Sequence, residues 1–174
     1  GSLQADIPVD SLVVSTHGIG LDNLMHYYEH NHTPEEAGLL QAFSKHTGLE
    51  QETITPYIST ATPSLTALFQ DGYHYGITVT CPGFYGPQGR ILRAGLRFPN
   101  LISALNQFMY GTYRITNFEM ETSALFGLCN ILGHDCLAIN TIVANRIQQT
   151  FSSDAPKAID AMIQKNLELL CQHP

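Results

Sequence analysis

Residues 115–132 read ITNFEMETSALFGLCNIL, and in this stretch a short β-type run passes directly into an amphipathic helical pattern. The apolar positions of the second part recur at helical spacing and predict a helix face that lies against a sheet: Ala124, Leu125, Leu128, Cys129, Ile131 and Leu132. A strand that leads into a sheet-covering helix indicates an α/β protein, and the junction between the two elements is thereby fixed in place.

Two carboxylates stand at that junction, on either side of Met120. Glu119 and Glu121 are two residues apart, and in extended backbone this spacing points both side chains to the same face. Such a pair can hold two neighbouring hydroxyl groups. The alternative is that Glu121 only complements the positive end of the following helix and that Glu119 is solvated. The junction by itself leaves both interpretations open.

The length indicates one domain over residues 1–174, or most of one. The composition is that of an ordinary globular protein, with 44% hydrophobic and 13% charged residues. A net charge of -7 with only eight Lys and Arg argues against a nucleic-acid partner, because no basic run can neutralise phosphates.

No apolar run approaches the ~20 residues that span a bilayer, and the N-terminus lacks the order of a signal peptide. We therefore expect no membrane partner and a cytoplasmic location. The cysteines form no CxxC pair, which favours reduced thiols over disulfides or zinc.

Strand-like and helical patterns alternate along the chain. The strand-like runs are residues 12–14, 73–80 and 135–144, and the further helical patterns are residues 33–48, 62–70, 101–110 and 154–171. The third run is almost continuously apolar, which predicts a strand buried on both faces of a parallel or mixed sheet. The expected fold class is α/β, a three-layer α/β/α arrangement around a central mixed sheet. No element precedes the first strand to pair with it, so we expect a sheet that is incomplete on its N-terminal side.

Three histidines, His26, His30 and His32, have a spacing that resembles a set of metal ligands. No HExxH motif and no acidic partner completes the pattern. We therefore interpret residues 16–32 as a solvated loop rich in aromatic side chains, and we expect no metal site.

Polar groups also follow the other strand-like runs. The loop at residues 81–90, CPGFYGPQGR, holds three glycines and two prolines, which predicts a shaped loop. Its Phe84, Gln88 and Arg90 can recognise a flat heterocycle, since the ring stacks, the amide donates and accepts, and the guanidinium holds an oxygen that gains negative charge. The alternative is a turn whose arginine points to water. Asn145-Arg146 follows the third run, and in an open α/β sheet such strand ends converge on one crevice.

Three motifs resemble the uridine phosphorylase branch of the nucleoside phosphorylase family: FYGPQGR at residues 84–90, NFEMET at residues 117–122 and TIVANR at residues 141–146. The resemblance extends over nearly the whole chain and implies a phosphorylase/hydrolase-like fold. It implies two groups of substrate-binding residues, namely Phe84, Gln88, Arg90, Asn145 and Arg146 for the base, and Glu119, Met120 and Glu121 for the ribose. From these it implies three catalytic residues, Arg90, Glu121 and Arg146.

Asn145 helps to choose a branch of the family. Purine-specific relatives and nucleosidases of this fold typically carry an aspartate at this position, which acts as an acid towards the purine ring. An asparagine cannot lend a proton as a carboxylic acid can, so the implied base is a pyrimidine. Gln88 and Arg90 would hold the departing pyrimidine anion on its carbonyl oxygens and ring nitrogen.

One part of the family pattern is absent from this sequence. Relatives have an N-terminal portion with a glycine-containing phosphate loop and arginines, and no glycine-rich segment precedes the first strand here. The arginines of this chain are Arg90, Arg93, Arg97, Arg114 and Arg146. We therefore expect the chain to carry the base and ribose half of the site, to be either a part of a longer protein or the product of a short gene, and to show weak or no phosphorolysis by itself.

For the intact protein, the resemblance implies a pentosyltransferase that converts a pyrimidine nucleoside and phosphate to free base and ribose 1-phosphate. Inorganic phosphate is the implied co-substrate and no cofactor is implied. The implied assembly is a homo-oligomer, a dimer or a hexamer. Two alternatives remain open: a non-catalytic module that binds nucleoside or uracil, and a hydrolytic nucleosidase of the same fold.

Overall fold

A computed structural model of the chain describes residues 1–49 and 54–172. Eight strands lie within these residues: β1 (Leu12–Gly20), β2 (Tyr57–Thr60), β3 (His74–Thr80), β4 (Met109–Tyr110), β5 (Tyr113–Glu119), β6 (Ile139–Thr141), β7 (Ala144–Asn145) and β8 (Thr150–Phe151). The first six form one mixed sheet in the order β2-β1-β3-β5-β4, with β6 also paired to β1, and the last two form a separate hairpin. The mixed sheet predicted from the sequence is confirmed.

The longest strand, β1, connects several parts of the sheet because other strands pair along both of its edges. One edge pairs in parallel with β3. The other edge pairs antiparallel twice, with β6 along residues 12–14 and with β2 along residues 17–20. The register against β3 shifts between Ser15 and His17, and this bulge bends β1 between its two antiparallel partners. Because β5 pairs in parallel with β3, three parallel strands form the middle of the sheet.

Helices cover both faces of this sheet. They are α1 (Pro34–Thr47), α2 (Pro63–Thr66), α3 (Leu101–Gln107), α4 (Thr122–Leu132) and α5 (Ala155–Cys171). On one face, Phe43 of α1 and Leu105 of α3 join the same hydrophobic cluster as Ile77 of β3. On the other face, α4 packs against β1, β2 and β3. The predicted three-layer α/β/α architecture is confirmed.

Local sequence signals set the ends of α1. The Thr33 hydroxyl accepts a hydrogen bond from Glu36 N–H (3.2 Å), and the Glu36 carboxylate accepts one from Thr33 N–H (2.8 Å). These reciprocal bonds form a capping box. Gly48 ends the helix in the left-handed conformation, with φ 73°. The helix predicted at residues 33–48 is confirmed.

Several strand expectations are wrong. Residues 135–144 contribute the three half-buried residues of β6 and the first residue of β7, rather than one strand buried on both faces. The apolar side chains of this run pack from irregular backbone, where Cys136 contacts the cluster around Phe126 of α4 and Leu137 also reaches the cluster beside α5. Residues 16–20 belong to β1 and not to a loop. The strand β2 was not predicted, because its four residues are too few to show the alternation of a strand.

The buried face of α4 differs from the predicted one. Its leucine-rich stripe is largely exposed, at Leu125, Ile131 and Leu132, and the residues that are buried instead are Thr122, Ser123, Phe126 and Gly127. The strand beneath the helix explains the difference. A Cβ atom at Gly18 would lie 2.8 Å from Ser123 Cα, and one at Gly20 would lie 2.7 Å from Ser123 Oγ. Glycines in β1 therefore let the small, polar first turn of α4 approach the sheet.

The structure also shows the state of the cysteines and the character of the helices. Cys81, Cys129, Cys136 and Cys171 are free thiols, as expected. Within residues 1–49 and 54–172, no helix combines the length and the apolar content that crossing a membrane requires.

Gly18→Ala is expected to lower the free energy of unfolding by about 1–3 kcal/mol, because the added methyl group meets backbone atoms of Ser123 that cannot move without shifting α4. Urea denaturation followed by far-UV circular dichroism measures the change. Gly95→Ala is a matched control, since a Cβ atom there has no other atom within 4 Å. Equal stability of Gly18→Ala and the unaltered chain would contradict the close approach of α4 to β1.

A buried histidine makes the stability of the fold depend on pH. His17 is 3% exposed, and its ring lies edge-on to the Tyr113 ring with 4.8 Å between the centroids. Among the described residues its Nε2 atom has no hydrogen-bond partner. Burial lowers the pKa of His17, against the opposing effect of Glu35 and Glu36. The native state therefore keeps this imidazole neutral at a pH at which the unfolded chain already binds a proton.

The contribution of His17 to stability is expected to be complete above about pH 6.5, the pKa of an unperturbed histidine, and to be lost as the pH falls from there towards the lower native pKa. His17→Gln should therefore lose less stability than the unaltered chain between about pH 7.5 and about pH 5.5, measured by urea denaturation. His134→Gln changes an exposed histidine and is the control. If the free energy of unfolding had the same pH dependence in His17→Gln and in the unaltered chain, the protonation of His17 would not contribute to it.

Candidate active site

The carboxyl ends of β1, β3 and β5 lie side by side at one edge of the sheet. Gly20 is opposite Thr80, and Thr80 is opposite Glu119. The pairing continues past the strand ends, since Leu21 N–H donates to the Thr80 carbonyl (2.9 Å) and Cys81 N–H donates to the Glu119 carbonyl (2.8 Å). The loop of residues 81–90 and the junction that holds Glu119 therefore start from neighbouring points.

The loop after β3 folds its polar residues against one another. The Arg90 guanidinium lies over the Phe84 ring, with Cζ 3.7 Å from the centroid. Arg90 Nη1 donates to Gln88 Oε1 (2.6 Å) and to the Phe84 carbonyl (2.5 Å). These bonds occupy the acceptor atom of the Gln88 amide and leave its N–H groups as donors. The sequence-based alternative of an arginine that points only to water does not fit this geometry.

The two acids of the junction have different surroundings. Glu119 Oε1 accepts a hydrogen bond from Thr80 Oγ1 (2.7 Å), and Oε2 accepts from the N–H groups of Glu121 and Thr122 (2.8 Å each). Glu119 therefore binds the start of α4. Within the described part of the chain, the exposed Glu121 carboxylate accepts one hydrogen bond, from Met120 N–H (3.2 Å). The alternative considered above had given the helix start to Glu121 and solvent to Glu119, so the structure reverses it.

Asn145 and Arg146 reach the same edge through the N-terminal segment. Ser2 bridges Asn117 of β5 and Asn145 of β7, and Arg146 N–H donates to the Ser2 carbonyl (2.9 Å). The Arg146 guanidinium lies 5.7 Å from the Phe118 ring centroid. Burial, followed by the charge of Arg146, lowers the pKa of Arg90, so the two cations lie within electrostatic reach of each other. The structure thus brings Arg146 together with the β3 loop.

The Asn145 side chain is buried and bound to backbone. Its Nδ2 donates to the carbonyls of Gln4 (2.8 Å) and Ile7 (2.9 Å), and its Oδ1 accepts from the N–H groups of Ile147 (2.9 Å) and Gln148 (2.8 Å). Both amide hydrogens and both oxygen lone pairs are used. In this structure Asn145 therefore faces the protein interior and holds the segment that carries Arg146.

Sequence reasoning missed several side chains at this edge. Asp22 follows the end of β1, and Tyr57 of β2 has its hydroxyl 2.9 Å from Ser123 Oγ. Burial raises the pKa of Tyr57, and Asp22 adds to the shift, so this phenol stays protonated. Burial also raises the pKa of the Cys81 thiol to about 12, which excludes it as a nucleophile at neutral pH. An acidic residue two positions after a strand end was the available signal for Asp22.

The three histidines whose spacing resembles a set of metal ligands have other contacts in the structure. His26 Nε2 lies 2.8 Å from the Thr55 carbonyl oxygen, and the rings of His30 and His32 pack edge-on at 4.7 Å. Across residues 1–49 and 54–172, no three His, Cys, Asp or Glu side chains are grouped so that they could hold a metal ion. His26 belongs to a short 3-10 helix, Leu24–Tyr27, rather than to the loop that the sequence predicted.

A comparison with protein families assigns this architecture. The model of the Phosphorylase superfamily matches residues 1–172, which is almost the entire chain. The chain belongs to the phosphorylase superfamily. Two of its relatives are uridine phosphorylases, the branch that the motifs resemble. The uridine phosphorylase of Thermococcus kodakarensis is 27% identical over 176 residues, which cover 99% of this chain and 55% of that protein. That of Haemophilus influenzae is 25% identical over 156 residues, which cover 89% of this chain and 54% of that protein.

Solved structures of this superfamily agree with the fold. A Trypanosoma brucei nucleoside phosphorylase, whose structure is described as showing uridine phosphorylase activity, matches with a TM-score of 0.89 and 27% identity, over 99% of this chain and 61% of that one. A uridine phosphorylase of the oomycete Phytophthora capsici has a TM-score of 0.60 and 20% identity, over 100% of this chain and 63% of that one, and supports the fold alone. The chain spans about half the length of the two uridine phosphorylases that it matches in sequence.

Asn145→Asp is expected to lower the free energy of unfolding of this phosphorylase-superfamily chain by about 2–4 kcal/mol at neutral pH, because a buried carboxylate would replace the Nδ2 donor that faces the Gln4 and Ile7 carbonyls. Urea denaturation measures the loss. Asn31→Asp, at an exposed position, is the matched control. A small or absent loss in Asn145→Asp would mean that this amide is not fixed by the N-terminal segment.

Proposed function

We propose that this chain carries the base and ribose half of the active site of a uridine phosphorylase. In the whole protein, inorganic phosphate would attack C1′ of a pyrimidine nucleoside, and the products would be the free base and ribose 1-phosphate. The observation that supports the proposal best is the cluster of Phe84, Gln88 and Arg90, which lies one strand away from the Glu121 carboxylate at the same sheet edge. No cofactor is part of the proposal.

The β3 loop supplies the groups that a departing uracil needs. Phe84 is 51% exposed and offers a ring surface beside the Gln88 amide, whose N–H groups can donate to a uracil carbonyl. When the glycosidic bond breaks, negative charge develops on the carbonyl oxygens and ring nitrogen of the base. Arg90 and Arg146 are two cations within electrostatic reach of each other at this sheet edge. They are therefore the residues that we assign to leaving-group stabilisation.

The junction between β5 and α4 supplies the ribose contacts. Glu121 has carboxylate oxygens available to accept hydrogen bonds from ribose hydroxyls, and its negative charge suits the positive charge that develops on the sugar. Met120 is 41% exposed and offers an apolar surface beside it. We assign Glu119 to holding this junction and Asn145 to holding Arg146, since the polar atoms of both side chains are bound to the protein.

The second candidate function is a module that binds nucleoside or uracil without chemistry. It is favoured for this chain by itself, because the matched relatives are nearly twice as long. A hydrolytic nucleosidase is disfavoured, since Asn145 offers no acid and its amide is fully bound. We further propose that the whole protein is a cytoplasmic homo-oligomer.

Calorimetric titration of the chain with uridine and with uracil tests the proposal. Both ligands are expected to bind. Glu121→Ala should weaken uridine binding about tenfold and leave uracil binding nearly unchanged, because the carboxylate has no partner on the bare base, and Arg90→Ala should weaken both ligands about tenfold. Glu168→Ala and Arg93→Ala alter exposed residues of the same types away from these contacts and are the controls.

The outcomes separate the assignments. Equal weakening of uridine and uracil by Glu121→Ala would overturn the ribose assignment. Binding of neither ligand by the unaltered chain would overturn the proposed half-site. Release of uracil from uridine by this chain, at equal rates with and without phosphate, would favour the nucleosidase over both other functions.

A further inference from the structure

The start of α4 is capped by side chains other than its own N-cap residue. Glu121 occupies the N-cap position and makes no capping hydrogen bond with its side chain. Glu119 Oε2 accepts from the N–H groups of Glu121 and Thr122, and Thr80 Oγ1 accepts from Ser123 N–H (2.8 Å). Three N–H groups at the helix start are thus satisfied without the carboxylate that an N-cap acid ordinarily supplies.

Thr80 connects the two parts of this cap. Because the Ser123 N–H can only donate, Thr80 Oγ1 accepts there, and its own hydrogen is directed to Glu119 Oε1 at 2.7 Å. The Thr80 side chain is fully buried, so water cannot replace either bond. Removing this hydroxyl would leave a buried backbone donor and one oxygen of Glu119 without their partners.

We propose that Thr80 is a positioning residue of the nucleoside site, which keeps the Glu121 carboxylate away from the helix start and available to ribose. This inference rests on the proposed function. Ser123 stands at the second position after the N-cap, and its N–H is the group that an N-cap carboxylate normally binds. Without the Thr80 hydroxyl, this N–H loses its acceptor, and Glu121, as the N-cap residue, is in a position to supply one. Its carboxylate then turns to Ser123 N–H, and the ribose loses its acceptor.

Calorimetric titration of the unaltered chain, Thr80→Val and Thr80→Ser with uridine and with uracil tests this role. Valine keeps the shape of threonine and removes the hydroxyl, whereas serine keeps the hydroxyl. Thr80→Val is expected to weaken uridine binding about fivefold or more and to leave uracil binding within about twofold. Thr80→Ser should retain the ratio of uridine to uracil affinity of the unaltered chain. General loosening of the fold would weaken both ligands together and leave that ratio unchanged.

An unchanged affinity ratio in Thr80→Val, with both ligands still bound by the unaltered chain, would overturn the role of Thr80 and leave the proposed function intact. Failure of the unaltered chain to bind either ligand would overturn both. If Thr80→Val does not fold, Thr80→Ala removes the same hydroxyl without the valine methyl groups, with the same expected loss of uridine affinity relative to uracil. An unchanged ratio in that variant would likewise overturn the role of Thr80.

Discussion

The parallel register of β1, β3 and β5 is the constraint on which the candidate site depends. It sets Gly20, Thr80 and Glu119 in one row at the edge of the sheet. Because side chains alternate along a strand, a slip of β3 by one residue would turn the Thr80 hydroxyl to the opposite face. Glu119 would then lose its bond to β3. The loop after β3 would also start from a different point and carry Arg90 away from Glu121.

Polar contacts within the sheet, in addition to the hydrophobic clusters, specify this register. Ser15 Oγ and Thr78 Oγ1 are 2.7 Å apart, and Thr78 donates to Asn117 Oδ1 at 2.9 Å, so one row of side chains connects β1, β3 and β5. All three residues are buried. A shifted register would leave these groups unpaired at a cost of about 1–3 kcal/mol each, whereas apolar side chains tolerate other apolar neighbours. The polar row therefore selects one alignment among several that would bury similar apolar area.

The parts of the fold and site that could be predicted from the sequence are those that short-range patterns determine. The capping signal at Thr33 fixed α1, and Phe84, Gln88 and Arg90 come together because they share one ten-residue loop. The parts that could not be predicted depend on residues far apart in the chain. The buried face of α4 follows from glycines in β1. The Asn145 amide donates to the carbonyls of Gln4 and Ile7, which lie 141 and 138 residues away in the chain. No local pattern contains that information.

The different surroundings of Glu119 and Glu121 explain how a pair of like charges can serve one site. Two carboxylates that share a face repel each other, and a site built from both would bind hydroxyls with two mobile, competing acceptors. Here the N–H groups at the start of α4, with the partial positive charge of the helix, hold Glu119. The same bonds fix the backbone on which Glu121 stands. A carboxylate on a fixed support loses less conformational entropy when it binds a ligand. The bonds of Glu119 to the helix start would therefore strengthen the binding of ribose that we propose for Glu121.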